Sequence, residues 1–236
     1  MYSLEDGPLF RKPKSTSLVW ITSATKLATY DILTKEFNVI GATREVMFDI
    51  AMSPEGILYG VDSTGNKLYT IDRKTAEIKL VGTMNPEGFI NSLTFGQYGA
   101  LYGCQGTNLV KINPKTAAVT IIGDMGYSSA GDMVFINNNL YMSSTTNELI
   151  LVNISNPGSS SSIKSIPVTY GLATVFISEG ICGGSYHLYG TSGAYKTIYE
   201  INPHNGNITN ADTLPSFGDG EDTVTNGATS SQFTWI

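Results

Sequence analysis

"GILYGVDSTGNKLYTIDRKTAEIKLVGT" (residues 56–83) contains three stretches of strand length separated by turn residues, and "ALYGCQGTNLVKINPKTAAVTIIGD" (residues 100–124) repeats the same order. How far this repetition extends decides the fold. An apolar pair followed by Asp or Asn recurs at Asp31, Asp72, Asn113, Asn153 and Asn202, at intervals of 41, 41, 40 and 49 residues. A second marker, "ILYG", "ALYG", "NLYM" and "HLYG", recurs at Leu58, Leu101, Leu140 and Leu188. A third, "VIG", "LVG" and "IIG", ends at Gly41, Gly82 and Gly123.

Each unit holds four apolar-alternating stretches, which in the second unit are "FDIAMS", "ILYGVD", "KLYTID" and "EIKLVG". The alternation is the period of a strand, and no stretch has a helical period. Asx and Thr residues suit the tight turn between the third and fourth stretches, because Asp and Asn side chains mimic a backbone turn. "SPEG" (Ser53 to Gly56) turns the chain between the first and second. Four strands in a unit of this length make the blade of a β-propeller.

The two ends of the chain complete the count. "SLVWITSATKLATYDILTKEFNVIGA" supplies the second, third and fourth strands of a unit, and "GEDTVT" (Gly220 to Thr225) matches a first strand such as "AGDMVF" (Ala130 to Phe135). The expected fold is therefore all-β: a five-bladed β-propeller over residues 17–230, its ring closed by N- and C-terminal strands that share one blade. Residues 1–16 form an arm outside the repeat, and residues 231–236 an apolar tail with Phe233, Trp235 and Ile236.

The "SPEGILYGVD…LYTIDRKTAEIKLVGT" pattern resembles the repeat propellers of bacterial surface proteins and some phage proteins. The blade count and the shared terminal blade are similar in architecture to the tachylectin-type lectin propellers. The resemblance implies an externally displayed recognition module and does not specify a ligand. The tryptophan-rich, sugar-contacting loops of those lectins have no counterpart, since the only tryptophans are Trp20 and Trp235.

Composition narrows the function classes. The 236 residues are 41% hydrophobic, enough to bury a substantial core, and 14% charged with a net charge of −6. Such a chain repels a phosphate backbone, and the one basic run, "RKPK" (Arg11 to Lys14), is too short to reverse that. Nucleic acid is not an expected partner. No apolar run has membrane-spanning length. "MYSLEDGPLFRKPKSTS" lacks the basic start and apolar middle of a secretory signal, so the expectation is a virion or cell-exterior protein exported by another route, with a cytoplasmic one as the rival. Cys104 and Cys182 are too few for a disulfide framework and read as small buried residues.

First strands of propeller blades line the channel. Alignment on "LYG" places Asp49, Asp132 and Asp222 at equivalent positions, with Ser92 in the third blade. In the fifth blade "SEGICGGSYHLYG" would place Glu179 there and "LATVF" would place Ala173, and the first is preferred because it makes "NISNPGSSSSIKS" an insert. Four converging carboxylates could hold Ca²⁺ in the central channel, although no cofactor is required by the reading. The alternative is that they accept hydrogen bonds from buried backbone of the next blade. Two of them could also serve a glycan hydrolase. His187 and His204 lie far apart in the pattern, so a nucleophile–histidine–acid set is poorly supplied, and Cys182 has no evident base.

A non-enzymatic binding or assembly role fits better. Tyr98, Tyr127, Tyr170, Tyr186, Tyr195 and Asn138 fall in or near turns and offer stacking area, donors and acceptors to a glycan or a protein on a cell or virion surface. Other subunits would dock through residues 1–16 and the C-terminal tail, and a purely structural decoration protein is the further alternative.

Overall fold

The structure is a computed structural model, and it describes residues 17–85, 88–178, 184–192, 196–217 and 225–230. It is a five-bladed β-propeller of four-stranded antiparallel sheets. The second blade runs from the axis outwards as β4 (Met47–Met52), β5 (Leu58–Asp62), β6 (Lys67–Ile71) and β7 (Ile78–Thr83). The third is β8 (Ile90–Phe95), β9 (Leu101–Gln105), β10 (Asn108–Ile112) and β11 (Val119–Asp124). The fourth is β12 (Ser129–Ile136), β13 (Asn139–Ser144), β14 (Glu148–Val152) and β15 (Ser161–Ser165). The fifth is β16 (Gly171–Ser178), β17 (Gly184–Ser192), β18 (Thr197–Ile201) and β19 (Ile208–Thr213). The first blade takes β1 (Leu18–Ser23), β2 (Lys26–Asp31) and β3 (Phe37–Ala42) from the start of the chain and its inner strand, β20 (Thr225–Ser230), from the end.

A single sheet of this kind has two apolar faces and buries neither alone. The core therefore lies between blades: Ala51, Tyr59, Val61 and Leu68 of the second pack against Ile90, Leu93, Leu101 and Val110 of the third. Tyr59 meets Phe95 with ring centroids 5.2 Å apart across this seam. In every blade the pairing of the third and fourth strands slips by a bulge, as between Leu68 and Tyr69 or Leu109 and Val110, which adds twist to the outer edge.

The Asx turns explain two of the repeated markers together. Asp72 Oδ1 accepts from the backbone N–H of Lys74 (2.7 Å) and Thr75 (3.0 Å), and the chain then passes through Ala76 at φ +61°. Asp31 does the same for Leu33 and Thr34, while Asn113 Oδ1 receives Lys115 N–H and Asn202 Oδ1 receives His204 N–H. Each turn presses on the outer strand of the blade before it, and there the third marker supplies glycine. A Cβ on Gly41 would stand 2.8 Å from the Thr75 carbonyl oxygen, and one on Gly82 3.0 Å from that of Thr116. Gly123 faces Pro157, in the 3-10 turn (Pro157–Ser159) that replaces the standard turn of the fourth blade. The repeated glycine is thus the contact point between blades.

Two strand assignments differ from the sequence reading. The inner strand of the fifth blade is β16, containing "LATVF", with Ala173 opposite Tyr189; "SSIKS" is no insert but the outer strand β15 of the fourth blade. The extra length of the 49-residue interval goes largely into a longer β16–β17 hairpin of 8- and 9-residue strands. A solvent-facing outer edge needs few apolar residues, which hid β15 among serines. The inner strand of the first blade is described from Thr225, with Gly227 rather than Asp222 at the axial position; of "GEDTVT" only Thr225 lies among the described residues.

Candidate functional site

The ring offers an axis and two ends. Along the axis, the residue before the one paired with the "LYG" glycine occupies the same place in all blades. These residues are Asp49, Ser92, Asp132, Gly171 and Gly227, by the pairs Ile50 with Gly60, Leu93 with Gly103, Met133 with Met142, Leu172 with Gly190 and Ala228 with Ile21. The register therefore replaces two of the four expected acids by glycine. Glu179 and Asp222 themselves lie outside the described residues, as do Tyr195 and Cys182.

Asp49 and Asp132 are fully buried. Asp49 Oδ1 accepts from Ile50 N–H at 2.7 Å and Oδ2 from Leu93 N–H, in the next blade, at 2.6 Å. Asp132 Oδ1 accepts from Met133 N–H at 2.6 Å, while Oδ2 accepts from Leu172 N–H at 2.6 Å and Ala228 N–H at 3.2 Å. Asp132 thus bonds the fourth blade to both the fifth and the first. Gly227 makes room for this: a Cβ there would lie 2.4 Å from Asp49 Oδ1. Burial, then the charge of Asp132, pushes the Asp49 carboxyl well above the usual carboxylate range. Burial also raises Asp132, opposed by its three N–H donors and by a hydrogen bond from Asp49. Burial, more than any neighbour, holds both carboxyls above the usual carboxylate range. Among the described residues, no group of three or more His, Cys, Asp or Glu side chains comes together that could hold a metal ion.

The turns between first and second strands, and the Asx turns, define what we term the lower end. Second-to-third turns and the connections between blades define the upper end. This divides the expected binding residues. Tyr98 and Asn138 belong to the lower end and Tyr127 and Tyr170 to the upper. Tyr98 sits at the tip of the β8–β9 turn beside Gly99 (φ +76°) and is 92% exposed. Asn137 and Asn138 form a two-residue turn with φ +47° and +69°, a left-handed geometry that Asn tolerates, so their amides point outwards by construction. The exposed Ile57 follows the β4–β5 turn on the same end. Tyr186 also lies low but packs its ring on Phe176, centroids 5.4 Å apart. Tyr127 is half-buried against the core around Cys104 and Met133, and Tyr170 is half-buried with its backbone held by Thr191. Cys104 is buried, its thiol pushed up to about 11 by desolvation.

One arrangement was not expected from the sequence. His187 Nδ1 lies 2.6 Å from Glu200 Oε1, and His187 Nε2 lies 2.9 Å from Ser185 Oγ. Ser185, His187 and Glu200 thus form a hydrogen-bonded chain across β17 and β18. Ser185 and His187 stand two apart on β17, hence on one face, and Glu200 reaches them diagonally because it pairs with Tyr189. Its signal was the S-x-H spacing in "GSYHLYG", which needed the cross-strand register to become legible.

No family model matches the chain, and no curated protein does. Among solved structures, a chain of a nidogen/laminin complex is similar with a TM-score of 0.61 at 10% identity, over 91% of this chain and 98% of that one. A streptogramin B lyase gives a TM-score of 0.48 at 15% identity, over 86% of this chain and 70% of that one. Virginiamycin B lyase from Staphylococcus aureus gives 0.47 at 16% identity, over 86% and 69%. At these identities the likeness is one of fold.

Proposed function

We propose that this propeller is a recognition module whose lower end contacts a glycan or protein, displayed on a virion or cell exterior. The observation that carries the reading is Tyr98, an aromatic ring almost wholly in water at the tip of a glycine-bounded turn, where it contributes nothing to packing. Asn137, Asn138 and Ile57 extend the surface with amide and apolar groups. Tyrosine in such a setting supplies contact area at small entropic cost. That a propeller of this shape occurs in a nidogen/laminin complex supports protein recognition as a use of the fold. The axis reads as structural in this proposal, because the oxygens of Asp49 and Asp132 are occupied by backbone N–H groups.

A glycan array probed with the full chain, with Ca²⁺ and with chelator, tests this. Binding lost about 10-fold or more in Tyr98→Ala, with an unchanged melting transition, supports the lower end. Binding unaffected by that change moves the site elsewhere. Calcium dependence would place a cation in the recognition itself.

A further inference from the structure

We propose that Ser185, His187 and Glu200 form a nucleophile–base–acid relay at the lower end of the fifth blade, able to take an acyl group from a small carboxylic ester. The inference goes beyond recognition and does not depend on it. An ionised carboxylate only accepts hydrogen bonds, so Glu200 fixes the proton of the imidazole on Nδ1 at 2.6 Å. That leaves the lone pair on Nε2, at which the Ser185 hydroxyl stands 2.9 Å away. A structural tether between β17 and β18 would need only the His187–Glu200 contact. Here both ring nitrogens are engaged, in the order that makes the serine a nucleophile.

Position supports the same assignment. β18 pairs with β17 only from Leu188 onwards, so Ser185 and His187 lie on the part of the hairpin that extends past it. The His187 and Glu200 side chains are 25% and 19% exposed, screened from bulk water yet within reach of it. Ser185 is half-buried beside the exposed Gly184. The alternation of the strand sends the intervening Tyr186 to the opposite face, onto Phe176, which leaves the relay face clear of that ring.

In the step proposed, Ser185 Oγ forms a bond to the ester carbonyl carbon while its proton passes to His187 Nε2. The carbon–oxygen bond to the alcohol breaks, and the imidazolium returns the proton to the departing alkoxide. Water then repeats the sequence on the acyl-serine, releasing the acid. Glu200 holds the ring and its charge and touches no reacting atom, so it is a positioning residue.

The test uses the full chain with a fluorophosphonate probe, which transfers its phosphonyl group to activated serines with loss of fluoride, read by intact mass and peptide mapping. One adduct per chain, located on Ser185 and absent from Ser185→Ala, is expected. His187→Gln should slow labelling about 100-fold or more. Glu200→Gln should slow it about 10-fold or more at unchanged probe affinity, and Glu200→Asp should restore part of the rate, a rescue that a merely structural contact would not produce. Hydrolysis of p-nitrophenyl acetate should follow the same order among the variants. Absence of an adduct on Ser185 in a chain that melts cooperatively overturns the proposal. Labelling at the same rate in His187→Gln overturns it too.

Discussion

The Asx turns and the axis treat the same five-fold repetition in opposite ways. At the turns, Asp31, Asp72, Asn113 and Asn202 each serve their own blade through the backbone N–H two or three residues on, and the solution is copied. At the axis, the equivalent positions hold Asp, Ser, Asp, Gly and Gly, because five side chains compete for one narrow space. Two carboxyls there do the work, and glycine yields the volume. A repeat is kept where each unit acts alone and is broken where all units meet.

The largest effect that would test this contrast comes from Asp132→Ala. It leaves three buried N–H groups, on Met133, Leu172 and Ala228, without an acceptor, whereas Asp49→Ala leaves two. Denaturant unfolding should show Asp132→Ala destabilised by about 3 kcal/mol or more, and by more than Asp49→Ala. The reverse order would mean that the axis is not organised around Asp132. Next, Gly227→Ala should cost about 1–3 kcal/mol by crowding Asp49, measured the same way. A neutral outcome would show that the axis has slack.

Acidity provides a third probe. A carboxyl whose folded pKa is raised binds its proton more tightly when folded. Its contribution is greatest below the unfolded value near about 4 and is lost as pH rises through the folded value. The stability advantage of wild type over Asp49→Ala should therefore shrink as the pH is raised above about 4. An advantage that grew instead would place a bare charge on Asp49. Asn113→Ala, which removes one exposed turn bond, should cost about 1 kcal/mol or less. Tyr98→Ala should change stability by less than about 0.5 kcal/mol.

The same contrast governs what could be read from the sequence. Blade number, strand number and the shared first blade follow from markers that each unit carries for itself, such as Asp72 and Gly82. The inner strand of the fifth blade was misplaced because "LATVF" lacks the acid that alignment sought, and the register puts Gly171 and Gly227 where acids were expected. The Ser185–His187–Glu200 chain is completed across strands, so the S-x-H spacing alone could not announce Glu200. Tyr98 and Tyr186 look alike as turn-region tyrosines, yet one stands in water and the other lies on Phe176, a difference set by the length of their hairpins.

The strand that closes the ring is the last of the described strands to leave the ribosome. Until β20 emerges, the first blade lacks its inner strand and the hydrogen bond from Ala228 N–H to Asp132, spanning 96 residues, has no donor. The nascent chain must therefore wait, four inner strands made and the gate unshut, while both flanks of the gap remain exposed to other chains. Synthesis sets the clock for this fold, and a pause before the codons of β20 would lengthen the interval in which a neighbour's strand could take the empty place.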